Sequence, residues 1–255
     1  KYSDLLERKN SVGATANILM AATLAEGITK ITNAAREPHI VQLCEMLKEM
    51  GSEINGIGTS DLIIKGVDEL KPVNISVIPD MIEAGTFLMA GAFLGDIKLT
   101  KVNPDHIAII IENLQKAGCK MNIEDNSISI KRADEIRPVD VATNVHPGFP
   151  TDLQAQWIAL MSICKGKAKM VENIYHDRFS HIPELNRLGA NISIDKNIAT
   201  VNGVTKLIGA EVMSTDIRAS ASLVLASLFA KGKSTISRVY HIDRGYEKIE
   251  DNDKI

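Results

Sequence analysis

Cysteine is scarce in this chain and scattered where it occurs. Cys44, Cys119 and Cys164 share no CxxC spacing, so neither a zinc knuckle nor a disulfide framework is suggested. Cys44 and Cys164 fall within apolar helical patterns and read as buried thiols. His39, His106, His176, His181 and His241 have no metal-ligand spacing, and neither a metal nor a cofactor is expected. No apolar run approaches membrane-spanning length, and Lys1-Tyr2-Ser3-Asp4 is unlike a signal peptide. A cytoplasmic protein without a membrane partner is therefore expected. A net charge of −3 gives no electrostatic reason to expect nucleic acid. With 45% hydrophobic and 24% charged residues, the 255-residue chain has core material for one large globular domain or two modest ones.

Glycine is where the order lies. Gly27, Gly95, Gly166 and Gly232 each follow an apolar helical stretch, at intervals of 68, 71 and 66 residues. A second set, Gly51, Gly118 and Gly189, recurs at 67 and 71. Glycine past a helix end is the expected left-handed cap, and two sets sharing one period indicate a repeat. Each unit starts with an Ala/Leu-rich helix, as over residues 14–25, followed by a short alternating strand such as Ile28-Thr29-Lys30-Ile31. A second helix carries Ile40, Leu43, Cys44 and Leu47 in the first unit and Ile107, Ile110, Ile111 and Leu114 in the next. Two strands close the unit, as at Lys120–Glu124 and Ser127–Lys131 through Asp125-Asn126. A further strand is expected before each first helix, which makes the unit βαβαββ, and residues 66–73 are the expected linker after the first unit.

The starts of the first helices align at Ser11-Val12-Gly13, Pro79-Asp80, Thr151-Asp152 and Thr215-Asp216. Helix N-termini offer free N–H donors and partial positive charge, so a face that gathers them suits phosphates and carboxylates. The small residues of Ser11-Val12-Gly13 allow a diphosphate to approach the backbone closely, although they form no Walker or dinucleotide-binding loop. In His146-Pro147-Gly148-Phe149-Pro150-Thr151-Asp152, two prolines within a few residues and a glycine require a shaped loop. Thr151 or Asp152 is then the natural N-cap of the following helix. Arginines recur in the strand-to-helix loops at Arg36, Arg178 and Arg244, and Arg218 follows Asp216. Their planar forks suit carboxylate and phosphate.

Five strings then occur in order: Ser-Val-Gly-Ala-Thr (11–15), Asn-Ala-Ala-Arg-Glu-Pro (33–38), His-Pro-Gly-Phe-Pro-Thr-Asp-Leu-Gln-Ala-Gln (146–156), Thr-Asp-Ile-Arg-Ala-Ser-Ala-Ser (215–222) and His-Ile-Asp-Arg-Gly-Tyr-Glu (241–247). Through them the chain resembles the UDP-N-acetylglucosamine 1-carboxyvinyltransferase family, enolpyruvyl transferases that open bacterial peptidoglycan synthesis. The resemblance implies an α/β fold, an inside-out α/β barrel of two domains with substrates in the cleft between them, here an incomplete set of about four units. It implies transfer of the enolpyruvyl group from phosphoenolpyruvate to the 3-hydroxyl of UDP-N-acetylglucosamine, and through that a part in cell-wall biogenesis, cell shape and division.

By position, Lys9, Ser11, Val12 and Gly13 match residues holding the nucleotide sugar, with Ile174 against the nucleotide. Asp152 matches the carboxylate at the sugar 3-hydroxyl, the proton acceptor. Arg178, Asp216, Arg218 and Arg244 match the phosphoenolpyruvate side, with Arg244 and Asp152 as catalytic residues. Met81 departs from the basic residue expected after Pro-Asp. The resemblance also implies that two units precede Lys1 in a parent chain. Residues 1–76 are then the last unit of an incomplete first domain, with an under-covered helix, and 77–255 most of the second. The chain alone is expected to be inactive, the alternative reading being a non-catalytic nucleotide-sugar-binding module.

Overall fold

The computed structural model describes residues 10–246, which divide into two compact units, one up to Ile78 with Val145–Pro147 and the other Pro79–Asn144 with the described residues from Gly148 on. The first unit runs α1 (Val12–Ala22), β1 (Ile28–Thr32), α2 (Pro38–Glu49), β2 (Glu53–Asn55) and β3 (Asp61–Lys65). Its antiparallel sheet has the order β1-β3-β2. The sheet's inner residues Ile31, Ile54, Leu62 and Ile64 pack against Leu19 and Ala22 of α1 and Cys44 and Leu47 of α2. Every second residue of β3 is buried, as a half-covered strand requires. Residues 66–71 have no regular structure, yet Gly66, Val67 and Lys71 donate backbone hydrogen bonds to Gly27, Thr23 and Met50. On α1, Ile18 and Met20 are 47 and 46% exposed, and Leu24 just past its end 58%, a larger apolar exposure than on the corresponding helices of the second unit.

The second unit repeats the motif. It contains α3 (Met81–Leu94), β4 (Ile97–Thr100), α4 (Ala108–Lys116), β5 (Lys120–Glu124) and β6 (Ser127–Lys131), and then β7 (Val141–Ala142), α5 (Gln154–Met161), β8 (Lys167–Val171), α6 (Ile182–Arg187), β9 (Asn191–Asp195) and β10 (Ile198–Asn202). The last repeat follows with β11 (Leu207–Ile208), β12 (Glu211–Met213), α7 (Ile217–Phe229), β13 (Ala230–Lys231) and β14 (Thr235–Ser237). The sheets have the orders β4-β6-β5 and β7-β8-β10-β9, with the pairs β11-β13 and β12-β14. The strand before the helix is present in two repeats, where β7 and β12 pair in parallel with β8 and β14 across α5 and α7. That parallel pairing needs a crossover, and the helix supplies it.

Helices α3, α5 and α7 contact one another and are buried around most of their surface; all eight residues of α5 are buried. The sheets bear the solvent-facing side, with Ala168 and Met170 inward and Lys167 and Lys169 outward on β8. This inside-out layering explains why the first helix of each repeat is apolar without a strong stripe, whereas the second has one. All seven periodic glycines have positive φ, from 89° at Gly189 to 141° at Gly166. Gly51, Gly118 and Gly189 directly follow helix C-caps, as read from the sequence. Gly27 and Gly166 instead sit just before β1 and β8, turning the chain into the strand rather than closing the helix.

Candidate functional site

The loop before α5 positions the central carboxylate. Proline at 147 and 150 holds the chain out of a helix, a single 3-10 turn spans Thr151–Leu153, and α5 begins only at Gln154. Neither Thr151 nor Asp152 caps it: the N-cap positions are Pro150 and Leu153, without side-chain capping bonds. This corrects the capping expectation. The reason is competition. Thr151 Oγ1 donates to Glu172 Oε2 at 2.9 Å, and the Asp152 oxygens accept charged bonds from arginines, which are stronger than those from backbone amides. At the three aligned helix starts the polar residue does cap: Ser11 accepts from the Ala14 N–H, Asp80 from Ile82 and Glu83, and Asp216 from Arg218 and Ala219. Asp152 alone of the four is turned to other partners.

Those partners come from two elements. Arg178, in the loop after β8, donates through Nη1 to Asp152 Oδ1 at 2.7 Å and to Thr151 Oγ1 at 3.1 Å. Its guanidinium lies over the Tyr175 ring, and its carbonyl accepts from Gln154 Nε2. Arg218, in the first turn of α7, donates through Nη2 to Asp152 Oδ2 at 3.0 Å. Burial pushes the Asp152 pKa upward, but the charges and hydrogen bonds of Arg218 and Arg178 outweigh it and hold the carboxyl below its usual range. The three side chains keep 38, 28 and 20% exposure for Asp152, Arg178 and Arg218, so the group is reachable from solvent. Chemically it is an ionised carboxylate under two anion-gripping forks.

The other residues singled out by sequence are placed as follows. Ile174 is half-buried in the Arg178 loop, and its N–H donates to Glu172 Oε1. Asp216 caps α7 and is reached by Ser180 Oγ. Arg244 ends the 3-10 turn Val239–Arg244, exposed and without a hydrogen-bond or ion-pair partner among the described residues. The turn runs beside Arg218, since a Cβ on Gly245 would meet Arg218 Nη1 at 3.9 Å. Tyr246 ties the turn to the helices through Thr86 Oγ1 at 2.8 Å. Ser11, Val12 and Gly13 form the start of α1 in the first unit, with Ser11 and Gly13 exposed; Arg36 of that unit donates to the His146 carbonyl. Lys9 lies outside the described residues.

Two buried groups beside the arginines escaped sequence reasoning. Glu172 is fully buried and accepts four hydrogen bonds. His181 is buried at the start of α6, and its pKa is pushed down to about 4 by burial, with Arg178 adding to the effect and Asp216 opposing it. Neither stands out in sequence, because a Glu ending a strand and a His opening a helix are ordinarily solvated. Among the described residues no group of three or more His, Cys, Asp or Glu could hold a metal ion, and no helix is long and apolar enough to cross a membrane. Burial pushes the Cys44 and Cys119 thiols up to about 11, which makes them poor nucleophiles.

The chain is 53% identical over 244 residues to the UDP-N-acetylglucosamine 1-carboxyvinyltransferase of Chloroherpeton thalassium, a match covering 95% of this chain and 57% of that protein. It is 49% identical over 254 residues to the protein of that name from Helicobacter pylori (strain Shi470), covering 98% of this chain and 60% of the relative. The chain thus spans less than two thirds of the length of these relatives. Among solved structures it is similar to the enolpyruvyl transferase NikO from Streptomyces tendae, with a TM-score of 0.84, 25% identity and coverage of 92% of this chain and 57% of that one. The EPSP synthase of Acinetobacter baumannii shares the fold, with a TM-score of 0.71 at 20% identity over 93% of this chain and 58% of that one. The sequence pattern of the EPSP synthase (3-phosphoshikimate 1-carboxyvinyltransferase) family matches residues 5–252. Nearly the whole chain is thereby accounted for, and it belongs to this family of enolpyruvyl transferases.

Proposed function

We propose that this chain is the part of an enolpyruvyl transferase that carries the Asp152 site, and that the whole enzyme moves the enolpyruvyl group of phosphoenolpyruvate to the 3-hydroxyl of UDP-N-acetylglucosamine, releasing phosphate. The observation that carries the reading is the Arg178–Asp152–Arg218 arrangement, in a chain about half identical to proteins of that name. Asp152 accepts the hydroxyl proton, and Arg178, Arg218 and the exposed Arg244 balance the carboxylate and phosphate of the donor. While both arginines hold Asp152, its basicity is suppressed. A substrate anion that recruits either of them frees a carboxylate oxygen and restores it. Ser11, Val12, Gly13 and Ile174 serve the nucleotide sugar, with Lys9, and Asp216 sets Arg218 by capping its helix.

In this reading residues 1–76 are the last repeat of a first domain and 77–255 most of a second, which the exposed Ile18 and Met20 of α1 and Leu24 just past its end support. The setting is cytoplasmic peptidoglycan synthesis, with neither nucleic acid nor a membrane as partner. The test is product analysis on the chain extended by the part of the relatives it does not cover. The extended enzyme should form one phosphate per enolpyruvyl ether of UDP-N-acetylglucosamine. The 255-residue chain alone should release none, because groups that act as a unit leave no proportional share of activity. An extended enzyme that ignores UDP-N-acetylglucosamine and uses shikimate 3-phosphate would contradict the reading. Turnover by the 255-residue chain would contradict the division of labour.

A further inference from the structure

Glu172 is a fully buried carboxylate with no ion-pair partner within 4 Å among the described residues, a costly group unless it is well satisfied. Four donors converge on it from three chain segments. Oε1 accepts from Thr143 Oγ1 at 2.7 Å, from the Ile174 N–H at 2.7 Å and from the Tyr175 N–H at 3.0 Å. Oε2 accepts from Thr151 Oγ1 at 2.9 Å. Its backbone is fixed as well, exchanging hydrogen bonds with the Asn197 carbonyl and side chain. One side chain thus ties the end of β7, the turn carrying Asp152 and the loop leading to Arg178.

The direction of the Thr151 bond matters. A hydroxyl has one proton, and Glu172, an acceptor, takes it. The lone pairs of Thr151 are then left for Arg178 Nη1 at 3.1 Å, the same nitrogen that reaches Asp152 Oδ1. We propose that Glu172 is the positioning residue of the site, orienting the Thr151 hydroxyl so that Arg178 is pinned against Asp152. The inference rests on the enolpyruvyl transferase reading only for what the pair does; the positioning itself is tested without turnover.

Glu172→Gln keeps the shape but places an NH2 at one oxygen. If it faces Thr151, the hydroxyl must turn its proton toward Arg178; if it faces the other way, three donors meet a donor. The three donors at the Oε1 position hold the Gln oxygen there, so the NH2 faces Thr151 and the guanidinium loses its anchor. The experiment follows the Asp152 carboxyl titration by NMR in the 255-residue chain and its variants. The midpoint should move up in Glu172→Gln and in Thr151→Val, move no further in the double variant, and stay at the parent value in Thr151→Ser, which keeps the hydroxyl. Loss of the Glu172 charge by itself acts in the opposite direction, lowering the midpoint, so an upward shift reports the arginine. An unmoved or lowered midpoint in Glu172→Gln overturns the proposal, as does an additive shift in the double variant. If Glu172→Gln fails to fold, Thr151→Val against Thr151→Ser decides: equal midpoints overturn the proposal, and a shift confined to Val supports it.

Discussion

Arg178 and Asp152 meet at 2.7 Å through Nη1 and Oδ1, and the same nitrogen lies 3.1 Å from the hydroxyl of Thr151, the residue before Asp152. One guanidinium nitrogen therefore bridges two consecutive residues of a single turn. The arrangement draws Asp152 away from the amides of its own helix, whereas Asp80 and Asp216, at the matching places in their repeats, remain caps. A repeat that places a carboxylate at three helix starts thus turns one of them from its helix to two arginines.

Asp216 tests this contrast. Its Oδ1 accepts from the Arg218 and Ala219 amides at 2.8 and 3.0 Å. Asparagine caps about as well as aspartate, whereas alanine loses about 1 kcal/mol. Urea unfolding should therefore find Asp216→Asn within a few tenths of a kcal/mol of the parent and Asp216→Ala about 1 kcal/mol weaker. Equal losses in both variants would mean that the charge of Asp216, and not its cap, stabilises α7.

The buried His181 predicts a pH dependence. Its folded pKa, about 4, lies below the unfolded value, so the unfolded chain binds the proton first as pH falls. The contribution is constant above about pH 6.5, and stability drops by roughly 3 kcal/mol between there and pH 4 at 1.36 kcal/mol per pKa unit. Unfolding free energies measured across that window should slope accordingly. A profile flat from pH 7 to pH 4 would show that His181 is not held neutral.

Gly85 in α3 and Leu153 next to Asp152 form a close contact: a Cβ at 85 would overlap the Leu153 Cδ1. Alanine favours a helix over glycine by about 1 kcal/mol, but overpacking a filled core costs about 1–3 kcal/mol. Gly85→Ala should therefore lower stability despite its better propensity, and thermal melting decides the sign. A higher Tm would mean that Leu153 moves aside freely.

The regular parts of this fold could be read from the sequence because they rest on local rules. The hairpin Lys120–Glu124 with Ser127–Lys131 and the stripe Ile107, Ile110, Ile111 and Leu114 follow from periodicity, and the periodic glycines from left-handed φ. The parts that could not be read depend on tertiary competition. Thr151-Asp152 looks like a cap in sequence, and only the approach of Arg178, Arg218 and Glu172 takes it out of that role. Glu172 itself sits in Met-Val-Glu-Asn, where nothing marks a buried carboxylate; its four donors come from residues 143 to 175 and meet only in the folded chain. Arginine recurrence pointed to an anion site, but not that the arginines first engage a carboxylate of the protein.

The most direct measurement of the central claim is kcat of Asp152→Asn in the extended enzyme, with phosphoenolpyruvate and UDP-N-acetylglucosamine saturating. Asparagine preserves shape and removes the proton-accepting oxygen. Because Asp152 is 38% exposed, solvent screening holds each of its ion pairs to about 1 kcal/mol or less, so Tm should change little. General-base catalysis is worth roughly two to four powers of ten, and kcat should fall at least about a hundredfold. A variant with near-normal kcat would remove Asp152 from the proton transfer and leave it only as an anchor for Arg178 and Arg218.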